Sequence, residues 1–238
     1  MKRHDPLRFG QIGTVFSCKN WLHFCLTGTV GTDFTEASTS FTEVQSQIFG
    51  PEILQVYGLD KLHMALPKVS LPQDVAGFVT KGASAVTGLS PGTPVVEGLH
   101  DVTAAALGIG GHGTGKIAVI AGTCSINETV SAAPGDMRLT GGNSRSAAFV
   151  RLLADVLNLP VIATATDEAA AGSAALCAGA GAGLYASPAH DPRDLSKVSQ
   201  TVRRDPPRAS AMETRNRQHC AIAASLAPLW PRIEARAQ

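Results

Sequence analysis

The sequence predicts a mixed α/β fold, because short apolar strands alternate along it with segments of helical periodicity. Val95 and Val96 form an apolar strand, and an alanine-rich helix begins near Val102. After a glycine-rich stretch, KIAVIAGTCSINETVS alternates apolar and polar residues in the manner of two strands joined by a tight turn. A helix and a further strand follow in AAFVRLLADVLNLPVIA. Strands and helices therefore succeed one another as in an α/β protein.

The first ninety residues predict short elements separated by glycine and proline. QIGTVFSCKNWLHFCLTG has apolar residues at helical spacing and predicts a helix that ends at Gly28. TGTVGTDFTEAS, which follows, is typical of a loop. FTEVQSQIFGPEILQVYGL indicates one or two further helices. VAGFVTK then predicts a strand, and KGASAVTGL predicts a short helix closed by Gly88.

The stretch GIGGHGTGK, from Gly108 to Lys116, has the glycine spacing of a phosphate-binding loop. Such a loop needs a strand before the glycines and a helix after them. Here the alanine-rich helix comes first and a strand follows, and Ile117 stands where the motif requires Ser or Thr. The stretch is therefore predicted to be a connecting loop.

The C-terminal part predicts helices and one polar segment. The helix after TGGNS is predicted to have Asn143 or Ser144 as its N-cap. Its apolar stripe consists of Phe149, Leu152, Leu153, Val156 and Leu157. AAAGSAALCAGAGAGLYA is rich in small residues and favours a buried helix over a membrane span. SPAHDPRDLSKVSQTVRRDPPRAS is predicted to be a mobile surface segment. A C-terminal helix is expected to break near Pro228 and Pro231.

Composition excludes several classes of protein. With 20 basic and 19 acidic residues the net charge is +1, so neither nucleic acid nor an anionic membrane is an expected partner. The five cysteines are odd in number, lie far apart and form no C-x-x-C. This usage argues against a disulfide framework or zinc site and predicts a cytoplasmic protein with reduced thiols.

Three stretches carry candidate chemistry. In GLHD a strand brings His100 and Asp101 to its end, where Asp101 is either a helix N-cap or a base that accepts a proton from a substrate hydroxyl. The turn in AGTCSIN is either an ordinary hairpin or a phosphate-binding loop. TGGNS is either a tight turn or a place where a flat ligand approaches the backbone.

The order of these stretches resembles the FGGY family of carbohydrate kinases. HD-x-x-A-A-A-L-G, AGTCSINETVS and GG-x-S-R-S are similar to segments of that family, and the resemblance runs from about Phe9 to Tyr185. It implies an incomplete actin-like, ribonuclease-H-like ATPase fold that contains parts of two domains. Residues 1–92 would be the remnant of the sugar-binding domain, 93–187 the ATP-binding domain, and 188–238 a polar segment with a C-terminal helix.

The resemblance also implies a function, which is ATP-dependent phosphorylation of a sugar or polyol hydroxyl with Mg²⁺ as cofactor. Asp101 would be the general base, and His100 and Asp101 would contact the substrate. No metal ligand is assigned. The residues that would bind ATP are Gly122, Thr123, Gly141, Gly142 and Asn143. The oligomeric state is left open, with a homodimer as one candidate. Another actin-like ATPase is disfavoured, since the HD junction fits sugar kinases better.

Two departures from the family pattern bear on activity. No D-x-G-T-[ST] motif occurs near Met1, and only residues 128–140 separate Asn127 from Gly141, where the family has a long run of strands and helices. The resemblance therefore predicts that the chain alone is inactive or weakly active. The alternative is a non-catalytic remnant that binds nucleotide or mediates an interaction.

Overall fold

A computed structural model describes residues 1–122, 125–130, 133–164, 166, 168–193, 195 and 199–229. It confirms the predicted mixture of helices and strands. The α-helices are α1 Pro6–Gly10, α2 Cys18–Thr27, α3 Phe34–Ala37, α4 Pro51–Val56, α5 Lys81–Thr87, α6 Asp101–Gly108, α7 Ala147–Leu157, α8 Ala169–Gly181 and α9 Pro206–Leu226. Short 3₁₀ helices cover Asp60–Ala65, Gly142–Arg145 and Ala227–Leu229.

The strands form three sheets among the described residues. They are β1 Thr32–Asp33, β2 Val69–Ser70, β3 Val75–Phe78, β4 Pro94–Val96, β5 Lys116–Ala121, β6 Ser125–Thr129, β7 Asp136–Thr140, β8 Val161–Thr164 and β9 Ser199–Val202. β1 pairs with β2 in parallel, and β3 pairs with β4 antiparallel. The third sheet has five strands in the order β6-β5-β7-β8-β9.

The described residues fall into two compact units. Unit 1 takes those of Met1–Gly108 and Glu168–Arg193, and unit 2 takes those of Ile109–Asp167 and Asp194–Gln238. The functional boundaries expected at residues 92 and 187 stay predictions.

Caps at both ends define the predicted helices α2 and α5 of unit 1. The Ser17 side chain accepts from the N–H of Asn20 at the start of α2, and Gly28 ends the helix at φ 73°. In α5 the Thr80 side chain accepts from the N–H of Ala83, and Gly88 ends the helix at φ 76°. A left-handed residue satisfies the last carbonyls of a helix at little cost when it is glycine. Both helix ends were predicted correctly for this reason.

Helices α6 and α8 pack closely within unit 1 because small residues line their contact. A Cβ atom added to Gly108 would lie 2.1 Å from the carbonyl oxygen of Ala169. The buried Ser173 hydroxyl donates to the carbonyl of Ala104 at 2.5 Å. Among the described residues, no helix has the length and apolar character needed to cross a membrane.

The core of unit 2 lies against the parallel strands of the five-stranded sheet. β5, β7 and β8 run in parallel, while β6 and β9 are antiparallel edge strands. The buried cluster consists of Val119, Ala121, Met137, Leu139, Val150, Ala154 and Val161. Burial on both faces explains why KIAVIA is a nearly continuous apolar run.

Four local predictions were wrong. Ser146 caps α7 and accepts from the N–H of Phe149, whereas Asn143 and Ser144 lie in the preceding 3₁₀ helix. Three of the five residues of the predicted α7 stripe are exposed, at 46% for Leu152, 46% for Val156 and 42% for Leu157. The stretch predicted as a loop contains β1 and α3, because Asp33 caps α3. The segment predicted to be mobile contains β9, which gains its hydrogen bonds from β8.

The C-terminal helix also begins earlier than predicted. α9 starts at Pro206, with Asp205 as N-cap and proline in the first turn, and it continues to Leu226. Proline is tolerated there because the first N–H groups of a helix have no partner within the helix. The predicted break at Pro228 falls in the 3₁₀ helix Ala227–Leu229, and Pro231 lies outside the described residues.

Candidate functional site

Asp101 lies in unit 1 at the first position of α6. The helix begins one residue earlier than predicted, since the N–H of Ala104 donates to the carbonyl of His100 at 2.8 Å. Asp101 is therefore in the first turn rather than at the N-cap. Its side chain is 85% exposed, and Oδ1 accepts from the N–H of Val102 at 2.7 Å. A carboxylate held at a helix N-terminus and open to solvent is available to accept a proton.

His100 is adjacent to Asp101 in space as well as in sequence. Its Nε2 atom lies 3.3 Å from Oδ1 of Asp101, and its side chain is 28% exposed. The structure thus brings together the two residues predicted to contact the substrate. Imidazole and carboxylate groups together offer both a donor and acceptors to a hydroxyl group.

A cavity of about 750 Å³ within unit 1 is bordered by both residues. Its polar border includes Ser17, Lys19, His23, Glu36, Glu97, His100 and Asp101, and its apolar border includes Phe16, Val96, Leu99, Ala104, Ala170 and Ala174. Its volume is in the range of small-molecule sites. The mixed lining suits a small polar molecule.

A partly buried ion pair between Lys19 and Asp33 lies at the border of this cavity. Asp33 is fully buried, and its Oδ2 atom binds the ammonium group of Lys19. The sequence did not predict this pair, because the stretch around Asp33 has the composition of a loop. The available signal was Asp33 with Glu36 three residues later, which is typical of a helix N-terminus.

The residues predicted to bind ATP belong to unit 2. Gly122 directly follows β5, and Gly141 directly follows β7. These strands are parallel, with Ile120 opposite Thr140, so both glycines lie at the same edge of the sheet. Thr123 lies outside the described residues.

Gly141 allows an unusually close approach of the two strand ends. Its φ is 93°, and an added Cβ atom would lie 2.7 Å from the carbonyl oxygen of Ala121. In contrast, an added Cβ atom on Gly142 would meet no atom within 4 Å. Gly142 and Asn143 begin a 3₁₀ helix, where the first N–H groups have no partner within the helix. Those N–H groups can donate to an anion or a nucleotide.

Two family models match the chain, in the same order as the candidate sites occur along it. The N-terminal domain of the FGGY family of carbohydrate kinases matches residues 1–108, and the C-terminal domain of the same family matches residues 117–182. The chain belongs to the FGGY family of carbohydrate kinases. The first match contains Asp101, and the second contains the candidate glycines of unit 2.

Curated relatives of this FGGY chain include two kinases that carry L-xylulose in their names. The chain is 35% identical over 127 residues to a probable L-xylulose kinase of Pasteurella multocida, a match that covers 53% of this chain and 26% of the relative. It is 32% identical over 134 residues to the L-xylulose/3-keto-L-gulonate kinase of Escherichia coli, covering 55% of this chain and 26% of the relative. The matched part thus spans about a quarter of the length of these relatives.

Solved structures confirm the predicted actin-like fold. A xylulose kinase from Lactobacillus acidophilus superposes with a TM-score of 0.80 at 13% identity, covering 98% of this chain and 72% of that one. A gluconate kinase from the same organism superposes with a TM-score of 0.81 at 14% identity, with the same coverage. At such low identity the structural similarity shows the fold of this FGGY chain, and it does not identify the substrate.

Proposed function

We propose that this FGGY chain phosphorylates a hydroxyl group of a sugar or polyol with ATP. The observation that carries the proposal is the exposed carboxylate of Asp101 at the start of α6, in a segment that the family's N-terminal domain matches. Phosphoryl transfer depends mainly on positioning and on the neutralisation of charge. One aspartate and a set of backbone N–H donors supply much of what it requires from the protein.

Asp101 acts as the general base in this proposal. Its carboxylate accepts the proton of the acceptor hydroxyl as the hydroxyl oxygen bonds to the γ-phosphorus of ATP. The bond from that phosphorus to the β,γ-bridging oxygen breaks, and ADP leaves. His100, whose Nε2 atom lies 3.3 Å from Oδ1 of Asp101, contacts the same substrate. General-base catalysis typically contributes about 10²- to 10⁴-fold to the rate.

ATP binds, in this proposal, along the carboxyl ends of β5 and β7. Gly122 and Thr123 contact the phosphates, while Gly141, Gly142 and Asn143 lie against the nucleoside. The open space above Gly142 supports a ligand approach to the backbone there. Glycine has no side chain that would keep a ligand away from the main-chain N–H.

Mg²⁺ is expected to accompany ATP. Within the described part of the chain, no group of three His, Cys, Asp or Glu side chains is arranged to hold a metal ion. Mg²⁺ commonly binds through the phosphates of a nucleotide, waters and one or two carboxylates. We therefore assign no protein cage and no separate step to the metal.

The acceptor is proposed to be a ketopentose or a small polyol. This class follows from the curated relatives, which include L-xylulose kinases and an erythritol kinase of Brucella abortus, 36% identical over 93 residues. The cavity of about 750 Å³ bordered by Asp101 accommodates molecules of this size.

The test is transfer of radioactive γ-phosphate from ATP to a panel of ketopentoses and polyols. Enzyme is used in excess over ATP, so that a single turnover is detected even if the chain alone is slow. Asp101→Asn keeps the shape of the side chain and removes its basicity, and we expect the rate to fall about 100-fold or more.

Asp60→Asn is the matched control, because Asp60 is also an exposed carboxylate in the first turn of a helix of unit 1. It should transfer phosphate at the unsubstituted rate. Equal rates for Asp101→Asn and the unsubstituted chain would remove Asp101 from the mechanism. ATP binding without transfer to any acceptor would contradict the kinase proposal and support the non-catalytic alternative.

A further inference from the structure

We propose that Thr35 is a positioning residue whose hydroxyl, fixed by the partly buried Lys19–Asp33 ion pair, holds the backbone from which Asp101 projects. The proposal rests on the proposed function, since it gives Thr35 a role in placing the general base. Its contacts all lie within unit 1.

The buried carboxylate of Asp33 holds Thr35 in place. The residue is 0% exposed, and a buried carboxylate is costly unless charged and hydrogen-bonding partners surround it. Its Oδ1 atom accepts from the N–H of Thr35 at 2.8 Å and from that of Glu36 at 3.3 Å, and it also binds the Thr35 hydroxyl. These contacts fix Thr35 at the start of α3.

Lys19 ties the same carboxylate to the segment that leads to Asp101. Its ammonium group binds Oδ2 of Asp33 and donates to the carbonyl of Glu97 at 2.8 Å and to that of Gly98 at 3.4 Å. An ammonium group has three donors, and three acceptors surround this one. The ion pair therefore joins α2 and α3 to the connection between β4 and α6.

The Thr35 hydroxyl makes the last link. It accepts from the backbone N–H of His100 at 2.8 Å, and because the N–H must be the donor, the hydroxyl proton is left to donate to Asp33. The hydroxyl thus connects a buried anion to the residue immediately before Asp101.

Two backbone hydrogen bonds, to Pro72 and Asp74, also anchor this segment. The N–H of Glu97 donates to the carbonyl of Asp74 at 3.0 Å, and that of Gly98 donates to the carbonyl of Pro72 at 2.8 Å. The backbone is held while the Asp101 side chain stays 85% exposed. Since a misplacement of about 1 Å can cost about 10²-fold in rate, holding this backbone has a direct catalytic consequence.

The experiment compares Thr35→Val, which keeps the shape but removes the hydroxyl, with Thr35→Ser, which keeps the hydroxyl. Thr39→Val is the control, because the Thr39 hydroxyl donates locally, to the carbonyl of Glu36 at 2.8 Å. Hydrogen exchange of the His100 amide is measured by NMR, and phosphoryl transfer is measured in parallel. Melting curves verify that each variant is folded.

We expect Thr35→Val to speed exchange at His100 at least 10-fold and to lower kcat about 10- to 100-fold, with the KM for ATP unchanged. Thr35→Ser should match the unsubstituted chain in the exchange rate at His100 and in kcat. Thr39→Val should change neither quantity. If Thr35→Val does not fold, Thr35→Cys takes its place, because a thiol is a weak acceptor of similar size.

Unchanged exchange at His100 in Thr35→Val, or in Thr35→Cys where that variant is used, would overturn the proposal. So would faster exchange with an unchanged kcat in a chain that transfers phosphate. The exchange measurement needs no turnover, so it reports on the anchoring by itself. A chain without any transfer, in which exchange still depends on the Thr35 hydroxyl, would refute the kinase proposal and leave the anchoring of the His100 backbone established.

Discussion

Cys177 lies on α8 with its thiol shielded from solvent. Burial, followed by the negative charge of Asp33, raises the pKa of the Cys177 thiol to about 11, against a smaller opposite effect of Lys19. The thiolate is the reactive form of cysteine, so a raised pKa and a buried position both suppress reaction. Cys18, Cys25 and Cys220 are exposed.

We expect iodoacetamide at pH 8 to label the three exposed cysteines and to spare Cys177 in the folded chain. The lower thiolate fraction alone slows Cys177 by about 100-fold relative to an ordinary thiol. Peptide mass spectrometry measures the labelling, and the same reaction in guanidinium chloride is the control, in which Cys177 should react like the others. Equal labelling rates in the folded chain would show that Cys177 is accessible and ionisable.

At the scale of elements, a single carboxylate joins α7 to the start of α9. Asp155 is 3% exposed, and it accepts from the N–H of Asp205 at 2.7 Å and from Nε of Arg208 at 2.7 Å. The bond from the Asp205 backbone, followed by that from Arg208, lowers the pKa of Asp155 below its ordinary value of 3.8. The ionised form therefore stabilises the folded chain.

Replacing Asp155 by Asn is expected to lower the melting temperature at pH 7. Because the folded-state pKa of Asp155 is lowered, its stabilising effect is complete above the unfolded value of 3.8 and is lost as the pH falls through the folded value. The two melting temperatures should therefore converge as the pH falls below 3.8 and through the lower folded-state pKa. Melting curves from pH 2.5 to 7 measure this difference.

Glu213→Gln is the control for Asp155→Asn. It breaks an exposed ion pair on α9, in which Nε of Arg217 lies 3.7 Å from Oε1 of Glu213. Exposed pairs contribute little to stability, so this variant should melt like the unsubstituted chain at every pH. A difference for Asp155→Asn that did not vary with pH would mean that its charge is not what joins the two helices.

Two neighbouring glycines follow β7, and they differ in whether a side chain can be accommodated. Gly141→Ala places a side chain on a residue with φ 93° and brings its Cβ atom against the backbone of Ala121. We therefore expect the free energy of unfolding to fall by roughly 2 kcal/mol and the Tm to fall by about 4–8 °C. Gly142→Ala meets no atom within 4 Å and lies in a 3₁₀ helix, so the Tm should stay the same or rise slightly.

ATP distinguishes the role of Gly142 in binding from its role in folding. Saturating Mg-ATP should raise the Tm of the unsubstituted chain, since a ligand that binds the folded state stabilises it. The added methyl group of Gly142→Ala should abolish most of that rise. An equal rise in both proteins would remove Gly142 from the ATP site, and equal destabilisation by the two alanines would contradict the strain at Gly141.

At the scale of the whole molecule, the described chain leaves many large apolar side chains exposed. Val44 is 91% exposed, Met64 89%, Val86 87% and Val56 85%. Exposed apolar surface favours association, so gel filtration should accompany every assay. The candidate homodimer and the cytoplasmic location expected from the sequence stay predictions.

Elements with strong local signals were predictable from the sequence alone. α2 and α5 end at Gly28 and Gly88 because glycine adopts φ near 75° readily. The pairing of β5 with β6 follows from two runs of strand-forming residues on either side of Gly122. The order of the HD, GT and GG stretches identified the family that the domain models later matched. Local backbone preferences and motif order are written in neighbouring residues, so neither needs a tertiary contact to be recognised.

Only the tertiary structure decided the elements whose partners are distant in sequence. β9 is a strand because β8 supplies its hydrogen bonds, and the helix start at Pro206 is joined to α7 through Asp155. Lys19, Asp33 and Glu97 meet although 78 positions separate the first from the last. Such contacts are made across the fold, where sequence periodicity carries no signal, and they determine how the backbone before Asp101 is held.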